Sequence, residues 1–309
     1  MPKFSIVIPC YNEQDSVSIL FAEIRESFGQ AGQDFECIFV DDGSTDGTMA
    51  ALRELKAADG RVRVIRLRRN FGQSTALHEG FRIASGDIVA SLDADLQNDP
   101  KDILRMARVL DEGFDVVTGW RRNRRDSWLK RHISNGAYLL RRLLFRWNIR
   151  DAGCTLRVYR RECLGELELY GEMHRVLVLE LMRLGFSVKE VEVNHRARRF
   201  GRTKYGLGRV VRGFLDLTLQ YFWVTFGHRP MHFFGTAGIA ALVLGFLSLL
   251  GSLYLYFGRG MDMSDHFLPV LGFLLVMIGT QLFTLGVLAD IMMRIYRRGS
   301  RQSPVRELL

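Results

Sequence analysis

Short apolar runs alternate with amphipathic segments through the first 120 residues of the chain. The apolar runs are bounded by turn residues and are typical of buried strands; they lie at residues 4–8, 35–40, 62–67, 88–92 and 116–118. The segments between them carry apolar side chains at helical spacing, at residues 17–28, 48–58, 74–84 and 101–112. This alternation predicts an α/β fold with a mostly parallel sheet and helices on both faces.

Two longer apolar runs follow in the last third of the chain. Residues 233–257 and 267–289 carry no charged side chain, and Gln281 is the strongly polar residue of the second run. Each run is long enough to cross about 30 Å of hydrocarbon as a helix. Two such runs in tandem predict a hairpin of transmembrane helices, in preference to the alternative of two buried core helices.

The distribution of arginine predicts the orientation of this hairpin. The link at residues 258–266 has one arginine, whereas five follow residue 289, and the stretch before the first run is also basic. Because cytoplasmic segments carry the excess of positive charge, both termini and the α/β domain are expected in the cytoplasm, on a multi-pass protein of the inner (plasma) membrane. The net charge of +9 suits anionic lipid head groups better than nucleic acid, which is not expected as a partner.

Two segments between the sheet and the hairpin mix basic and apolar residues. They lie near residues 128–147 and 206–226 and are interpreted as amphipathic helices in the membrane interface, with ordinary surface helices as the alternative. The expected organisation is therefore a cytosolic domain over residues 1–230, two transmembrane helices within 231–292, and a basic cytosolic tail over 293–309.

An acidic loop follows the fourth predicted strand. Asp93 and Asp95 are separated by one residue, and Gln97 lies two residues further on. In open α/β sheets, ligands bind beyond the carboxyl ends of the strands. Two carboxylates and an amide oxygen suit a hard divalent cation that also holds a diphosphate, although turn and cap chemistry uses the same residue types.

Two further polar loops are predicted at the same edge of the sheet. The first strand runs into Tyr11 and Glu13, and the second runs into Asp42. Tyr11 is suited to pack a base or ribose, and Asp42 to accept a hydrogen bond from a base edge or a sugar hydroxyl. A dinucleotide-binding fold of the usual kind is not favoured, because no Gly-x-Gly-x-x-Gly follows the first strand, and the chain has no P-loop signature.

A set of motifs occurs in order along the chain, at residues 8–13, 40–48, 69–73, 93–100, 151–157 and 194–205. Together they resemble the inverting family 2 glycosyltransferases, most closely the polyprenyl-phosphate branch with its dolichyl-phosphate mannose synthases and bacterial undecaprenyl-phosphate sugar transferases. The resemblance implies a glycosyltransferase A-type fold. It also implies metal-dependent, inverting transfer of a hexose-type sugar from a nucleotide sugar to a polyprenyl phosphate at the cytosolic membrane face, with Mg²⁺ or Mn²⁺ as cofactor.

The resemblance also assigns roles to individual residues. Those expected to bind the nucleotide sugar are Pro9, Tyr11, Glu13, Val40, Asp42, Asp93 and Ala94, with Arg198 and Lys204 as phosphate binders from an Arg-x-x-Gly-x-Thr-Lys motif. Asp95 and Gln97 are expected to hold the metal. The residues assigned to the catalytic centre are Asp95, Asp151, Arg121 and Arg131, the two arginines lying near the lipid phosphate and Asp151 orienting an arginine or the sugar.

Two other functions are compatible with parts of the sequence. A processive polysaccharide synthase shares the nucleotide loops, but Leu143 stands where its Gln-x-x-Arg-Trp motif needs glutamine, and two spans are too few for a translocation channel. A non-catalytic membrane scaffold would not require Asp93, Asp95 and Gln97 to be intact. The sugar and the base remain open, and a second copy of the chain is a further candidate partner.

Overall fold

The computed structural model describes residues 3–121, 149–197 apart from 152, 166, 168, 170 and 172, then 222, 226, 229–299 and 305–308. The predicted interfacial helix at 128–147 and nearly all of the one at 206–226 lie outside these residues. The chain divides into two compact units, Met1–Leu207 with Ser303–Leu309, and Gly208–Gln302. Each unit is described by itself below.

The first unit is a sheet of strands with helices on both faces. Its described strands are β1 (Phe4–Cys10), β2 (Phe35–Asp41), β3 (Val62–Leu67), β4 (Ile88–Ser91), β5 (Val116–Trp120), β6 (Arg157–Arg160), β7 (Val188–Glu192) and β8 (Val305–Leu308). Its described α-helices are α1 (Val17–Gln30), α2 (Thr48–Ala58), α3 (Gln73–Ile83), α4 (Lys101–Leu110) and α5 (Leu177–Arg183). The helices predicted from apolar spacing are α1 to α4.

The strands form one mixed sheet in the order β7-β5-β6-β4-β1-β2-β3-β8 among the described residues. β1 pairs in parallel with β2 and β4, and β2 pairs in parallel with β3. β6 runs antiparallel between β4 and β5, and β8 adds an antiparallel edge to β3. The end of the predicted basic tail therefore contains a strand of the sheet. This strand was not predicted, because its four residues alternate only weakly between apolar and polar side chains.

Alternating side chains of the central strands enter two cores on opposite faces of the sheet. Ile6 and Ile8 of β1 pack in one core with α1, α2 and α4, whereas Val7 packs in the other with α3 and α5. Parallel strands buried on both faces read as continuous apolar runs, which is why the strand signal in the sequence is clear. Because β1, β2 and β4 are parallel, the loops that follow them emerge at one edge.

The second unit contains two long apolar helices, α6 (Pro230–Arg259) and α7 (Leu268–Gly299). Both have the length and composition to cross a membrane, with mean hydropathies of 2.2 and 2.1. α6 contains the predicted span 233–257 and extends beyond both of its ends. α7 begins one residue after the predicted start of the span 267–289 and extends beyond its end to Gly299. α6 ends at Gly260, whose left-handed φ of 67° closes the helix and starts the link to α7.

Glycines allow the backbones of α6 and α7 to touch. A Cβ on Gly238 would lie 2.8 Å from the carbonyl oxygen of Gly279, and one on Gly245 would lie 2.9 Å from that of Gly272. In each helix the two glycines are seven residues apart, so they return to one face after about two turns of 3.6 residues. Small residues at such positions permit the close packing on which helix association in lipid depends.

Replacing Gly245 by leucine is expected to separate the two helices locally, because overpacking of this kind costs about 1–3 kcal/mol. The thermal unfolding temperature of the detergent-solubilised protein should fall by several degrees. Gly251→Leu in the same helix is the matched control, since among the described residues its Cβ would meet only Leu268 Cδ1, at 3.9 Å. Equal unfolding temperatures for the two variants would contradict the packing role of Gly245.

Candidate active site

A cavity of about 290 Å³ opens at the carboxyl ends of β1, β2 and β4. The side chain of Tyr11, which is 46% exposed, stands on its wall. Seven residues predicted to bind the nucleotide sugar or metal line it: Pro9, Tyr11, Glu13, Asp42, Asp93, Ala94 and Asp95. The remaining lining residues are Cys10, Asn70, Gly72, Gln73 and Ala76.

The loops after β1 and β2 are bonded to each other. Asn12 has a left-handed φ of 57°, and its Oδ1 accepts a hydrogen bond from the Thr45 backbone N–H at 2.9 Å. The Asn12 N–H donates to Ser44 Oγ at 3.0 Å, and the Glu13 N–H donates to Thr48 Oγ1 at 2.8 Å. Asparagine tolerates the left-handed region better than most residues, so these contacts fix the loop that presents Tyr11.

Asp42 connects the second loop to a third, which follows β3. Its Oδ1 accepts the Phe71 N–H at 2.7 Å, and its Oδ2 accepts the Gly72 N–H at 2.9 Å. Burial raises the pKa of the Asp42 carboxyl, and the two backbone hydrogen bonds oppose that shift. Asp42 therefore has a structural task that the sequence did not indicate, and each oxygen keeps a further lone pair for a ligand.

Asp93 is held by two side chains from distant parts of the chain. Gln73 Nε2 donates to its Oδ1 at 2.8 Å, and Thr155 Oγ1 donates to its Oδ2 at 2.6 Å. Burial, and then the neighbouring charge of Asp95, raise the pKa of Asp93 to about 6, while the Thr155 hydrogen bond acts in the opposite direction. The orientation of this carboxylate is thus fixed before any ligand binds.

A narrow crevice of about 10 Å³ continues behind Asp93. Thr155, Arg157 and His174 line it, and Ser74 Oγ lies 2.9 Å from His174 Nδ1. Burial, followed by the nearby arginines, lowers the pKa of His174 to about 4, so its imidazole is neutral above that pH. The crevice is about the size of one water molecule, so the region behind Asp93 is closely packed.

Asp95 and Gln97 lie on a tight loop between β4 and α4. Asp95 Oδ1 accepts the Gln97 N–H at 3.1 Å, and the intervening Leu96 has a φ of 62° although its side chain is buried. A bulky residue in this region is strained, and such strain concentrates at functional sites. Gln97 Nε2 donates to the Arg196 carbonyl at 3.5 Å, which leaves Gln97 Oε1 as a free acceptor among the described contacts.

The donor set suits a divalent cation that a ligand helps to hold. Asp95 Oδ2 accepts no hydrogen bond from a described residue, so a carboxylate oxygen is available at the cavity wall. The described residues contain no group of three or more His, Cys, Asp or Glu side chains that could form a complete metal cage. Mg²⁺ commonly takes one or two carboxylates and completes its shell with substrate phosphates and water, and Asp95 with Gln97 fits that pattern.

Arg121 and Asp151 form a buried ion pair at the end of β5. Arg121 Nε donates to Asp151 Oδ2 at 2.7 Å, and Nη2 donates to Oδ1 at 2.9 Å. Burial by itself lowers the pKa of the Arg121 guanidinium, but the hydrogen bonds and charge of Asp151 outweigh it and raise that pKa. Asp151 also has its own N–H bound to Glu190 Oε1, at 2.8 Å. Both carboxylate oxygens of Asp151 thus accept hydrogen bonds from Arg121.

The remaining predicted site residues are placed differently. Val40 is fully buried in the core on the α3 side of β2, and its side chain does not line the cavity. Arg131, Arg198 and Lys204 lie outside the described residues. Gln73 and Thr155 were not predicted to belong to the site, although they lie in the motifs at residues 69–73 and 151–157. Their positions, just after Gly72 and just before β6, were the sequence features that could have indicated a role in the site.

Comparison with known proteins identifies the family to which the chain belongs. The family model described as Glycosyl transferase family 2 matches residues 5–167. The chain belongs to this family. It is also 37% identical to a dodecaprenyl-phosphate galacturonate synthase from Rhizobium johnstonii, over 96% of this chain and 89% of the relative. This family 2 glycosyltransferase is 34% identical to an undecaprenyl-phosphate 4-deoxy-4-formamido-L-arabinose transferase from Proteus mirabilis, over 95% of this chain and 89% of the relative.

Solved structures support the fold of the family 2 glycosyltransferase. Glucosyl-3-phosphoglycerate synthase from Mycobacterium tuberculosis, in complex with Mn²⁺, UDP-glucose and phosphoglyceric acid, superposes with a TM-score of 0.55. The identity is 20%, with 72% of this chain and 79% of that chain covered. A complex of the same synthase with Mg²⁺ and UDP gives a TM-score of 0.53 at 24% identity, over 71% and 79%. The predicted glycosyltransferase A-type fold is confirmed.

Proposed function

We propose that this family 2 glycosyltransferase transfers a sugar from a nucleotide diphosphate to a polyprenyl phosphate, with inversion and with the help of Mg²⁺ or Mn²⁺. The observation that carries the proposal is the cavity of about 290 Å³, in which Tyr11, Asp42 and Asp95 face one space. Relatives that are similar over nearly the whole chain act on polyprenyl phosphates by name.

The donor side of the reaction rests on the arrangement of the three loops. Tyr11 and Asp42 offer an aromatic face and a carboxylate to the nucleoside, and Asp93 is preset to receive a ribose hydroxyl. The Mn²⁺ and UDP-glucose bound by the glucosyl-3-phosphoglycerate synthase support the proposal of a diphosphate beside Asp95. A cation bound by Asp95 and Gln97 would stabilise the negative charge of the leaving diphosphate.

The acceptor side rests on charge. A phosphate monoester has a second pKa of about 6 and is mostly ionised at neutral pH, so it attacks the anomeric carbon without a strong base. Bringing two anions together requires cations. Two side-chain N–H groups of Arg121 donate to Asp151. Its three other guanidinium N–H groups have no acceptor among the described contacts, and we propose that they bind the acceptor phosphate. Arg131, Arg198 and Lys204 are proposed to assist.

The proposed membrane placement is supported by the length and composition of α6 and α7 and by the arginine distribution. We place the catalytic unit and both termini in the cytoplasm, with α6 and α7 spanning the inner membrane. A lipid acceptor whose phosphate lies at the bilayer surface would then meet the donor on the cytoplasmic side. The interfacial helices near 128–147 and 206–226 remain part of this proposal.

The sequence left the sugar open within a hexose-type transferase, and we propose that the sugar is acidic or nitrogen-bearing. The two relatives named above transfer a galacturonate and a formamido-arabinose by name. Galacturonate carries a carboxylate where glucose has a hydroxymethyl group. The formamido-arabinose carries a formamido group where glucose has a hydroxyl group. Galacturonate is the first candidate, since the relative with 37% identity is named for it.

The proposal is tested with the full-length protein in detergent and a short-chain polyprenyl phosphate. UDP-galacturonic acid, UDP-4-deoxy-4-formamido-L-arabinose and UDP-glucose are offered in turn, and the lipid phase is analysed by mass spectrometry. We expect one sugar to be added per lipid from one of the first two donors. EDTA should abolish transfer and Mn²⁺ should restore it.

The matched acceptor control is the polyprenyl alcohol, which lacks the phosphate and should receive no sugar. A product with many sugar residues would instead indicate a processive synthase. A protein that transfers no sugar from any donor and binds no nucleotide diphosphate would support the non-catalytic scaffold.

A further inference from the structure

We infer that Arg196 is a positioning residue that holds the Asp95–Gln97 loop in the geometry needed to bind a cation with the donor diphosphate. The inference rests on the proposed function. Arg196 lies in the segment after β7, far in sequence from the loop that it contacts, and no expectation from the sequence gave it a role.

The segment after β7 is bonded to the loop through its backbone. The Arg196 N–H donates to the Gln97 carbonyl at 2.7 Å, and Gln97 Nε2 donates to the Arg196 carbonyl at 3.5 Å. The next residues on each side, Asn98 and His195, form an antiparallel bridge. The Gln97 amide is therefore turned by the Arg196 carbonyl, and its Oε1 is the atom left for a cation.

The guanidinium of Arg196 fixes this segment from two other directions. Nη1 donates to Glu23 Oε2 of α1 at 2.7 Å, and Nη2 lies 2.9 Å from Asp99 Oδ2. Asp99 follows the Asp95–Gln97 loop and precedes α4. The Arg196 guanidinium therefore joins α1 and this loop to the segment after β7. Hydrogen bonds to carboxylates are the strong, charge-assisted kind.

Leu96 explains why the loop needs external support. A left-handed backbone costs a non-glycine residue about 1–2 kcal/mol, and such a conformation persists only where the surroundings determine it. On the loop itself, the described bond that opposes relaxation is the one between the Gln97 N–H and Asp95 Oδ1. The bonds between Gln97 and the Arg196 backbone add support, beside the packing of the Leu96 side chain in the core.

Removing the Arg196 side chain should loosen the loop without unfolding the protein. The side chain is 34% exposed, and exposed ion pairs contribute about 0.2–1 kcal/mol each. Residues that orient a metal ligand, in contrast, typically change metal affinity by about 10–100-fold when they are replaced. The effect should therefore appear in the metal dependence of nucleotide binding and much less in stability.

The experiment measures binding of UDP and GDP by calorimetry, over a series of Mn²⁺ concentrations and in EDTA, using the full-length protein. For Arg196→Ala we expect the Mn²⁺ concentration at half-maximal nucleotide binding to rise at least fivefold. Binding in EDTA should stay within twofold of wild type. The Mn²⁺ concentration needed by Arg196→Lys should lie between those of wild type and Arg196→Ala, because one ammonium cannot reproduce a planar guanidinium joined to two carboxylates.

Arg183→Ala is the matched control, since it removes another exposed arginine–carboxylate pair, with Glu180, at 2.6 Å. It should leave the Mn²⁺ dependence unchanged. Glu23→Gln provides a second, milder test that keeps the side-chain volume and should raise the Mn²⁺ requirement in the same direction.

An Arg196→Ala protein with the Mn²⁺ dependence of wild type would overturn the inference. So would an equal loss of binding in EDTA, which would indicate general damage to the site. A wild-type protein that binds neither UDP nor GDP would overturn the proposed function itself, so the two failures are distinguishable.

Discussion

Asp95→Asn is expected to lower sugar transfer by about 10²–10⁴-fold, because the loss of several kcal/mol of charge stabilisation at the leaving diphosphate slows the reaction tenfold for each 1.36 kcal/mol. The substitution is isosteric and keeps an oxygen that accepts the Gln97 N–H at the position of Oδ1. The loop should therefore keep its shape while its negative charge is lost. Initial rates at saturating Mn²⁺, donor and polyprenyl phosphate measure the effect.

Asp87→Asn is the matched control for this variant. Asp87 is exposed and precedes β4, whereas Asp95 follows the same strand at the opposite end. Its replacement removes the same charge from the protein and should leave the rate within twofold of wild type. If Asp95→Asn kept normal turnover under these saturating conditions, the assignment of Asp95 to the cation would be wrong.

The position of the acidic loops could be predicted from the sequence because it follows from the sheet. Once the apolar runs before Asp42 and Asp93 are recognised as parallel strands, their carboxyl ends must meet at one edge. The strand order alone brings the cavity residues together, whereas the contacts of each carboxylate depend on side chains from other segments.

Contacts between distant parts of the chain could not be predicted in this way. Asp93 is bonded to Thr155, which lies 62 residues away, and Asp42 holds backbone N–H groups 29 and 30 residues further on. Val40 was assigned to the pocket by resemblance alone. Its place on a two-sided buried strand sends its side chain into the α3 core, because neighbouring residues on a strand face opposite ways.

Two features of the architecture also escaped the sequence patterns. β6 is only four residues long and inserts antiparallel between β4 and β5, so its position depends on pairing with both neighbours. The glycines that face each other between α6 and α7 recur every seven residues, so their common face becomes visible only over two helical turns. Both features are set by tertiary contacts that leave a weak local signal.

Asp151→Ala is expected to reduce both stability and transfer, since it leaves the Arg121 guanidinium, with its side chain 14% exposed, without the carboxylate that compensates it. Breaking a buried ion pair by removing one partner costs about 3–5 kcal/mol. Thermal unfolding in detergent should show this loss. Combining Asp151→Ala with Arg121→Leu removes both charges and should recover most of the stability, but transfer should stay low because no guanidinium remains for the acceptor phosphate.

Asp151→Asn separates the positioning role from general-base catalysis. An asparagine still accepts a hydrogen bond from Arg121 and keeps the side-chain volume, so a positioning role predicts a moderate loss of transfer and a larger KM for polyprenyl phosphate. A general base would instead lose nearly all turnover at unchanged KM, with no recovery as the pH rises. Because the acceptor phosphate is already ionised and Asp151 is bound through both oxygens to Arg121, we expect the first result.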